Sequence, residues 1–354
     1  MEMLIDRFGE DWLMLASGVL VGLIFGAAAY QSRFCLRAAT VEVANRQLGP
    51  KLGIWLVAFF AALATVQAAL LLRVLDVSAA RQLTGTGSLS GAIIGGLLFG
   101  CGMILARGCA SRLLVLSASG NLRAIVTGLV LTLSAQASLR GVLSPLRETL
   151  AGLWTVSGID FRRLVDPETE VFPVIVAACV IAFLASVAYG LSRRVRAWDL
   201  LAAAVVGLAI SLGWWLTWLI ANASFEVVQV QSVTFTGPST DTLMALVNES
   251  VMPLSFGLGL VPGVFAGAMV VSVLKGEARI QRFETDTPME RYLVGGVLMG
   301  FGSMLAGGCA VGAGMAGGSV FALTAWLAVF CMWIGAVATQ LSLHRPLAAR
   351  ASPG

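Results

Sequence analysis

Residues 95–110 read GGLLFGCGMILARGCA and residues 295–310 read GGVLMGFGSMLAGGCA, an offset of 200 without a gap. Ten of the sixteen positions are identical, and each copy ends in Leu-Ala-x-Gly-Cys-Ala. Each copy is an apolar run that stops at glycine and cysteine. Backbone freed by helix-breaking glycine is tolerated at membrane depth only where it is buried in protein or lines a cavity. The repeat therefore predicts two membrane helices that each end at a site.

The composition of the whole chain agrees with a membrane location. Of 354 residues, 58% are hydrophobic and 12% are charged, whereas a soluble domain has about 25% charged residues. The mean hydropathy is +0.89. These values exclude a disordered chain, a soluble globular enzyme and a nucleic-acid-binding protein. The net charge of +4 does not indicate a nucleic-acid surface, because most Lys and Arg lie in short gaps between apolar runs.

The apolar runs predict an all-α polytopic membrane protein with nine transmembrane helices. A membrane helix needs about 20 mostly apolar residues. The nine predicted spans are residues 12–32, 52–72, 88–106, 124–139, 171–192, 200–221, 250–274, 292–306 and 319–343. None of these spans contains Asp, Glu, Lys or Arg. An intramembrane carboxylate is the usual proton relay or cation ligand, so the pattern argues against a carboxylate-based proton pump and a cation channel.

Lys and Arg are distributed unevenly between the two sides of the predicted bundle. One alternating set of gaps holds 16 of the 23, and the other set, which includes the N-terminal segment, holds 7. Cytoplasmic loops carry the excess of positive charge. We therefore expect the N-terminus outside and the C-terminus in the cytoplasm.

This orientation makes the repeat an inverted one, because the third and eighth spans cross the membrane in opposite directions. Four spans, a connecting span and four inverted spans account for all nine. The expected divisions are residues 1–148 for the first repeat, 149–198 for the connecting segment and fifth span, and 199–354 for the second repeat. Inverted repeats with broken helices are a recurring plan of transporters, with the substrate site near the bilayer midplane.

The end of each repeat copy predicts a short re-entrant half-helix that begins at about Ala110 or Ala310. A helix N-terminus presents free backbone N–H groups and partial positive charge, so it attracts anions, and a cysteine there adds an S–H donor. We expect two such N-termini to face one central path that suits a small anion, above all one that contains sulfur. The residues expected to form and support this part of the path are Cys109 and Cys309, with Gly108, Gly308, Ala110 and Ala310.

A third cysteine, Cys35, follows the first span within the sequence Tyr-Gln-Ser-Arg-Phe-Cys-Leu-Arg, where Arg33 and Arg37 flank it. Its counterpart at the offset of 200 is Phe235, so the halves differ here. The first repeat copy also carries Arg107 and Arg112 where the second has glycine. Either arginine is suited to neutralising the anion.

Tyr-Gln-Ser-Arg-Phe-Cys35 together with the two Leu-Ala-x-Gly-Cys-Ala copies resembles the YeeE/YedE sulfur-transport family over essentially the whole chain. The resemblance implies an hourglass-like bundle of inverted repeats in the bacterial inner membrane. It implies that thiosulfate passes a constriction marked by Cys35, Cys109 and Cys309 through S–H···S hydrogen bonds. It also implies a small cytoplasmic sulfur-carrier partner of the TusA type. Non-covalent passage of a dianion requires neutral thiols, because a thiolate would repel it.

Other functions fit the residues less well. The chain has one histidine, His344, and no CxxC pair, so we expect no metal site, no cofactor and no enzymatic activity. The first alternative is transport of another sulfur or selenium anion. The second is a membrane sulfurtransferase with Cys35 as nucleophile, activated by Arg33 and Arg37. The third is a structural or assembly protein, which the glycine-rich helix breaks disfavour.

Overall fold

The computed structural model describes residue 5 and residues 7–157, 162–224, 228–248, 254–282 and 288–344. These residues are helical apart from short connections and one antiparallel two-stranded sheet, in which β1 (Gly87–Ser88) pairs with β2 (Thr155–Val156). The helices are α1 (Glu10–Ser32), α2 (Leu36–Ala44), α3 (Pro50–Leu71), α4 (Arg81–Thr84), α5 (Leu89–Leu105), α6 (Ala110–Ala118), α7 (Leu122–Arg140), α8 (Ser144–Gly152), α9 (Phe172–Ser192), α10 (Ala197–Ala223), α11 (Thr236–Asn248), α12 (Phe256–Leu274), α13 (Met289–Leu305), a π-helix (Ala310–Gly317) and α14 (Leu323–His344).

Nine segments among the described residues are long and apolar enough to cross a membrane. The predicted all-α polytopic membrane fold is therefore confirmed. Three segments run on through a cysteine turn into a short helix: Glu10–Ala44, Leu89–Ala118 and Met289–Gly317. The seventh predicted span, 250–274, was set too early, since the helix begins at Phe256.

Besides the four-residue helix α4, three short helices were not predicted: α2, α8 and α11. Each has nine to thirteen residues, too few to cross a bilayer, which takes about 20. Each is also less apolar than the spans, so hydropathy does not separate it from a loop. Two of them, α2 and α11, begin at residues 36 and 236, the same offset of 200 that relates the repeat copies.

The two repeat copies pack directly against each other through glycine. A Cβ atom on Gly95 of α5 would lie 2.5 Å from the carbonyl oxygen of Gly302 on α13. A Cβ on Gly102 would lie 2.7 Å from the carbonyl oxygen of Gly295. Small residues permit such close approach of membrane helices. Residues 95 and 302 therefore meet in the same way as residues 295 and 102.

Each of these central helices has a second neighbour on its other face. Gly96 of α5 lies against the backbone of Ala328 on α14, and Gly296 of α13 lies against the backbone of Thr127 on α7. The order α14, α5, α13, α7 thus places the two repeat copies at the centre of a row of four helices. Their C-terminal ends, and the cysteines that follow, lie inside the protein.

Helix α12 spans the membrane next to α1 and sets the distance between the two faces. Gly22 of α1 packs against the backbone of Leu260. A Cβ atom added to Gly22 would lie 2.5 Å from the carbonyl oxygen of Leu260. Its 19 residues extend about 28 Å at 1.5 Å per residue, close to the ~30 Å hydrocarbon thickness of a bilayer. Residues at the two ends of α12 therefore mark opposite faces of the protein.

Candidate functional site

Each of the three cysteines of interest lies directly before a short helix. Cys35 precedes α2, Cys109 precedes α6 and Cys309 precedes the π-helix, all with extended backbone. The short helices begin at Ala110 and Ala310, the positions predicted for them. The first N–H groups of a helix have no partner within the helix and carry partial positive charge. The three thiols therefore share an electropositive backbone environment.

The Cys309 sulfur is held against the start of its own helix. The backbone N–H of Gly312 donates to Cys309 Sγ at 3.4 Å. Residue 312 cannot carry a side chain without displacing Thr234, because an added Cβ would collide with the threonine hydroxyl. Gly312 thus lets the segment before α11 approach the cysteine turn, a contact that links the two parts of the second half.

The Cys109 turn differs from the Cys309 turn in its polar contacts. Cys109 Sγ lies 3.4 Å from the hydroxyl of Ser111, a residue that is Val311 in the second copy. The Cys109 side chain also interacts with that of Cys35. The structure thus brings Cys35 and Cys109 together as a pair.

All three thiols are shielded from solvent. Cys109 and Cys309 are 1% exposed and Cys35 is 9% exposed. All three are free cysteines in the structure. The positive charges of Arg112 and Arg37 both interact electrostatically with the Cys35 thiol. The predicted supporting arginines therefore lie on the Cys35–Cys109 side of the site.

A polar cavity of about 440 Å³ opens at the C-terminal end of α12. We call it the Arg112 cavity. Its lining residues are Tyr30, Arg33, Arg112, Leu116, Ser119, Gly276, Glu277, Arg279 and Gln281. Nη1 of Arg112 is buried and has no hydrogen-bond partner among the described residues. A buried guanidinium nitrogen without a partner is a ready donor to an anion.

A second polar cavity, of about 480 Å³, lies at the N-terminal end of α12. We call it the Gly308 cavity, because Gly307 and Gly308 form part of its wall. Two arginines, Arg140 and Arg147, line it together with polar side chains from residues 229–241. Thr236, the first residue of α11, also lines it, and its buried hydroxyl has no hydrogen-bond partner within the described chain. The cavity thus offers donors suited to an anion.

Two of the predicted site residues line these cavities: Arg112 lines the Arg112 cavity and Gly308 lines the Gly308 cavity. Cys309 and Ala310 follow Gly308 directly in the chain, but neither residue lines the Gly308 cavity. Cys109 and Ala110 lie at the start of α6, the helix that carries Arg112, but neither they nor Cys35 line the Arg112 cavity. Gly108 packs against Leu113 of the same helix. Arg37 lies near three further arginines, Arg107, Arg123 and Arg291, at the Arg112 end of the bundle.

Sequence reasoning did not identify several residues of these cavities. Tyr30 and Glu277 form a hydrogen bond of 2.7 Å across 247 residues of sequence. Thr234 and Thr236 come from a segment with no motif. Tyr30 lies in the quoted motif around Cys35, so its position was a usable signal, whereas nothing near Glu277 in the sequence indicated a role.

Nine apolar spans in the described residues, with polar cavities at both ends of α12, define a polytopic membrane protein. The chain belongs to the sulphur transport family, whose pattern matches residues 31–338. The predicted resemblance to the YeeE/YedE family is confirmed.

Two curated relatives cover nearly the whole chain. The thiosulfate transporter TsuA of Escherichia coli is 26% identical over 353 residues, which cover 94% of this chain and 96% of that protein. The thiosulfate transporter TsuA of Spirochaeta thermophila is 26% identical over 348 residues, which cover 91% of this chain and 97% of that protein. The family and these relatives are transporters, so the prediction that the chain is not an enzyme is confirmed.

Proposed function

We propose that the chain imports thiosulfate across the bacterial inner membrane along a path between the Gly308 cavity and the Arg112 cavity. The observation that carries this proposal is three cysteines that each directly precede a short helix, together with polar cavities at opposite ends of α12 that Gly308 and Arg112 line. The names of both curated relatives support thiosulfate as the substrate. Sulfite and selenium anions are the alternative substrates to be tested beside it.

The proposed orientation of the path in the membrane follows from the charge distribution. The gaps at the Arg112 end of the bundle contain the excess of Lys and Arg, which favours the cytoplasmic side. The Gly308 cavity then opens outside and the Arg112 cavity opens to the cytoplasm. The N-terminus lies outside and the C-terminus inside in this arrangement. Thiosulfate enters past Cys309 and leaves past Cys109 and Cys35.

The exchange of contacts between α5 and α13 supports an inverted repeat. Gly95 meets Gly302 as Gly295 meets Gly102, which is the pairing that a twofold axis in the membrane plane produces. The proposed units are residues 1–148 and 199–354, joined by residues 149–198. In this arrangement the segments before α6 and before the π-helix are re-entrant, and their N-termini meet near the midplane.

The relay proposed for the path uses donors and no covalent step. Each neutral thiol donates S–H to the sulfane sulfur of thiosulfate, while helix N-termini and Arg112 balance the negative charge. The thiols are shielded from water, and the relay requires them in the neutral form, because a thiolate would repel the dianion. A small cytoplasmic sulfur-carrier protein of the TusA type is the proposed acceptor at the Arg112 cavity.

Uptake of sulfane-labelled thiosulfate by cells that lack other importers tests the proposal. We expect uptake by the wild type and by Cys179→Ser, a buried cysteine of α9 outside both cavities. We expect Cys109→Ser to abolish uptake although the protein inserts at the wild-type level. An inserted wild type without uptake would contradict thiosulfate as substrate. A persulfide on Cys35 without net uptake would favour a sulfurtransferase.

A further inference from the structure

The segment that follows α12 places a carboxylate in the Arg112 cavity. Gly276 adopts a left-handed conformation, with φ of 67°. The N–H of Gly276 donates to Val273 O and that of Glu277 donates to Ser272 O, both at 2.9 Å. This pair of bonds is the Schellman arrangement that ends many helices. Glu277 is therefore held at a fixed position on the end of α12.

The same segment is anchored again beyond Glu277. The N–H of Gln281 donates to the carbonyl oxygen of Gly120 at 2.9 Å, and the Gln281 carbonyl accepts from the N–H of Leu122 at 3.1 Å. The side-chain amide of Asn121 donates to that of Gln281 at 2.7 Å. We call residues 275–282 the strap. It crosses the Arg112 cavity from α12 to the turn between α6 and α7.

The Glu277 carboxylate contacts two other residues that line the Arg112 cavity. The hydroxyl of Tyr30 donates to Glu277 Oε2 at 2.7 Å, and Nη2 of Arg33 lies 3.7 Å from Oε1. The hydrogen bond from Tyr30, and then the charges of Arg33, Lys275 and Arg112, hold the pKa of Glu277 below its ordinary value. The carboxylate is consequently charged at neutral pH.

We propose that Glu277 is a tethered anion that occupies the cytoplasmic mouth of the path and is displaced by each outgoing substrate ion. The proposal rests on the proposed function, because it places the exit at the Arg112 cavity. Displacement is feasible because the pair is exposed: the side chains of Arg33 and Glu277 are 63% and 45% exposed, and such ion pairs are weak. A dianion has twice the charge of the carboxylate. Monovalent anions gain less from the exchange, so the mouth favours divalent ones.

The first experiment asks whether removing the carboxylate frees an anion site. Leu116, which lines the Arg112 cavity, is replaced by cysteine as a reporter in the detergent-purified full chain. Its reaction with neutral N-ethylmaleimide is followed with sodium sulfate and with sodium chloride at equal ionic strength. The protein without the reporter gives the background of the native cysteines.

We expect sulfate to slow the reporter severalfold in Glu277→Gln and much less in the parent. Gln281→Ala is the matched control, because it loosens the strap but keeps the carboxylate, and we expect it to resemble the parent. Equal protection in parent and Glu277→Gln would overturn the proposal. Equal protection in Gln281→Ala and Glu277→Gln would also overturn the proposal. The close fit of the strap, and not the charge of Glu277, would then be what keeps sulfate out of the parent.

A second experiment measures transport through the same mouth. Vesicles that contain the full chain are loaded with labelled thiosulfate, and its efflux is followed after dilution. We expect Glu277→Gln to speed efflux severalfold, while Glu290→Gln, which removes an exposed carboxylate at the start of α13 outside the cavity lining, leaves it near the parental rate. Efflux unchanged by Glu277→Gln would contradict the tethered anion. The maleimide assay needs no transport, so it separates failure of this proposal from failure of thiosulfate as substrate.

Discussion

Gly95 and Gly302 touch through their backbones at the centre of the protein, where an added Cβ on either residue would lie within 2.7 Å of the other's carbonyl oxygen. Gly102 and Gly295 make the equivalent contact about two helical turns away. No larger side chain fits without separating α5 from α13. Because both helices end at a cysteine turn, their spacing fixes the distance between the Cys109 and Cys309 turns.

This packing predicts a stability loss for Gly302→Ala. Overpacking of a tight interface costs about 1–3 kcal/mol, so we expect lower thermal stability in detergent and less folded protein in the membrane. Gly128→Ala is the matched control, because nothing lies within 4 Å of its added Cβ. Fluorescence-detected size exclusion after heating compares the two. An unchanged melting temperature for Gly302→Ala would contradict the close approach.

The Cys309 turn predicts a second substitution effect. Gly312→Ala should lower thiosulfate uptake by an order of magnitude, because its methyl group collides with Thr234 and moves the segment that contacts the Cys309 turn. Combining it with Thr234→Gly removes the collision and should restore part of the uptake. Uptake that stays low in the double variant would assign the defect to the backbone of the π-helix instead.

Cys309→Ser should reduce uptake strongly at an unchanged protein level, because a hydroxyl is a poorer match for the sulfane sulfur than a thiol. Cys331→Ser, at a buried cysteine of helix α14 that lines neither cavity, is the comparison. Initial rates at several thiosulfate concentrations separate weaker binding from slower passage. Equal rates for both variants would remove Cys309 from the proposed path.

Arg112 is expected to contribute charge to the exit. Arg112→Gln should lower thiosulfate uptake about tenfold, because it removes one charge-assisted hydrogen bond to the anion. Arg112→Lys keeps the positive charge, so it should lower thiosulfate uptake less. Arg196 lies directly before α10, and its side chain is 88% exposed. The variant Arg196→Gln should therefore transport normally. Equal uptake in Arg112→Gln and wild type would contradict the role.

The proposed orientation predicts which loops a membrane-impermeant maleimide reaches in intact cells permeable only at the outer membrane. Ser78→Cys, between the second and third spans, should react. Gln47→Cys, between the first and second, should react only after the inner membrane is opened. Both positions are exposed in the structure. The opposite pattern would reverse the assignment of the two cavities.

Much of the molecule was accessible from the sequence. The apolar runs predicted nine spans, and the repeat of Leu-Ala-x-Gly-Cys-Ala predicted helix starts at Ala110 and Ala310, which the structure has. Hydropathy and helix-breaking glycine are local properties of the sequence, so they can be recognised without knowledge of the tertiary structure. The motif around Cys35 and the two cysteine turns also sufficed for the family.

Only the tertiary structure decided which residues meet. The pairing of Cys35 with Cys109, the contact of Gly312 with Thr234 and the bond from Tyr30 to Glu277 join segments far apart in the chain. Helices α2 and α11 were missed because short, less apolar helices are stabilised by packing rather than by local preference. Local patterns thus determined the spans and the cysteine turns, while long-range packing determined the cavities and the carboxylate placed in one of them.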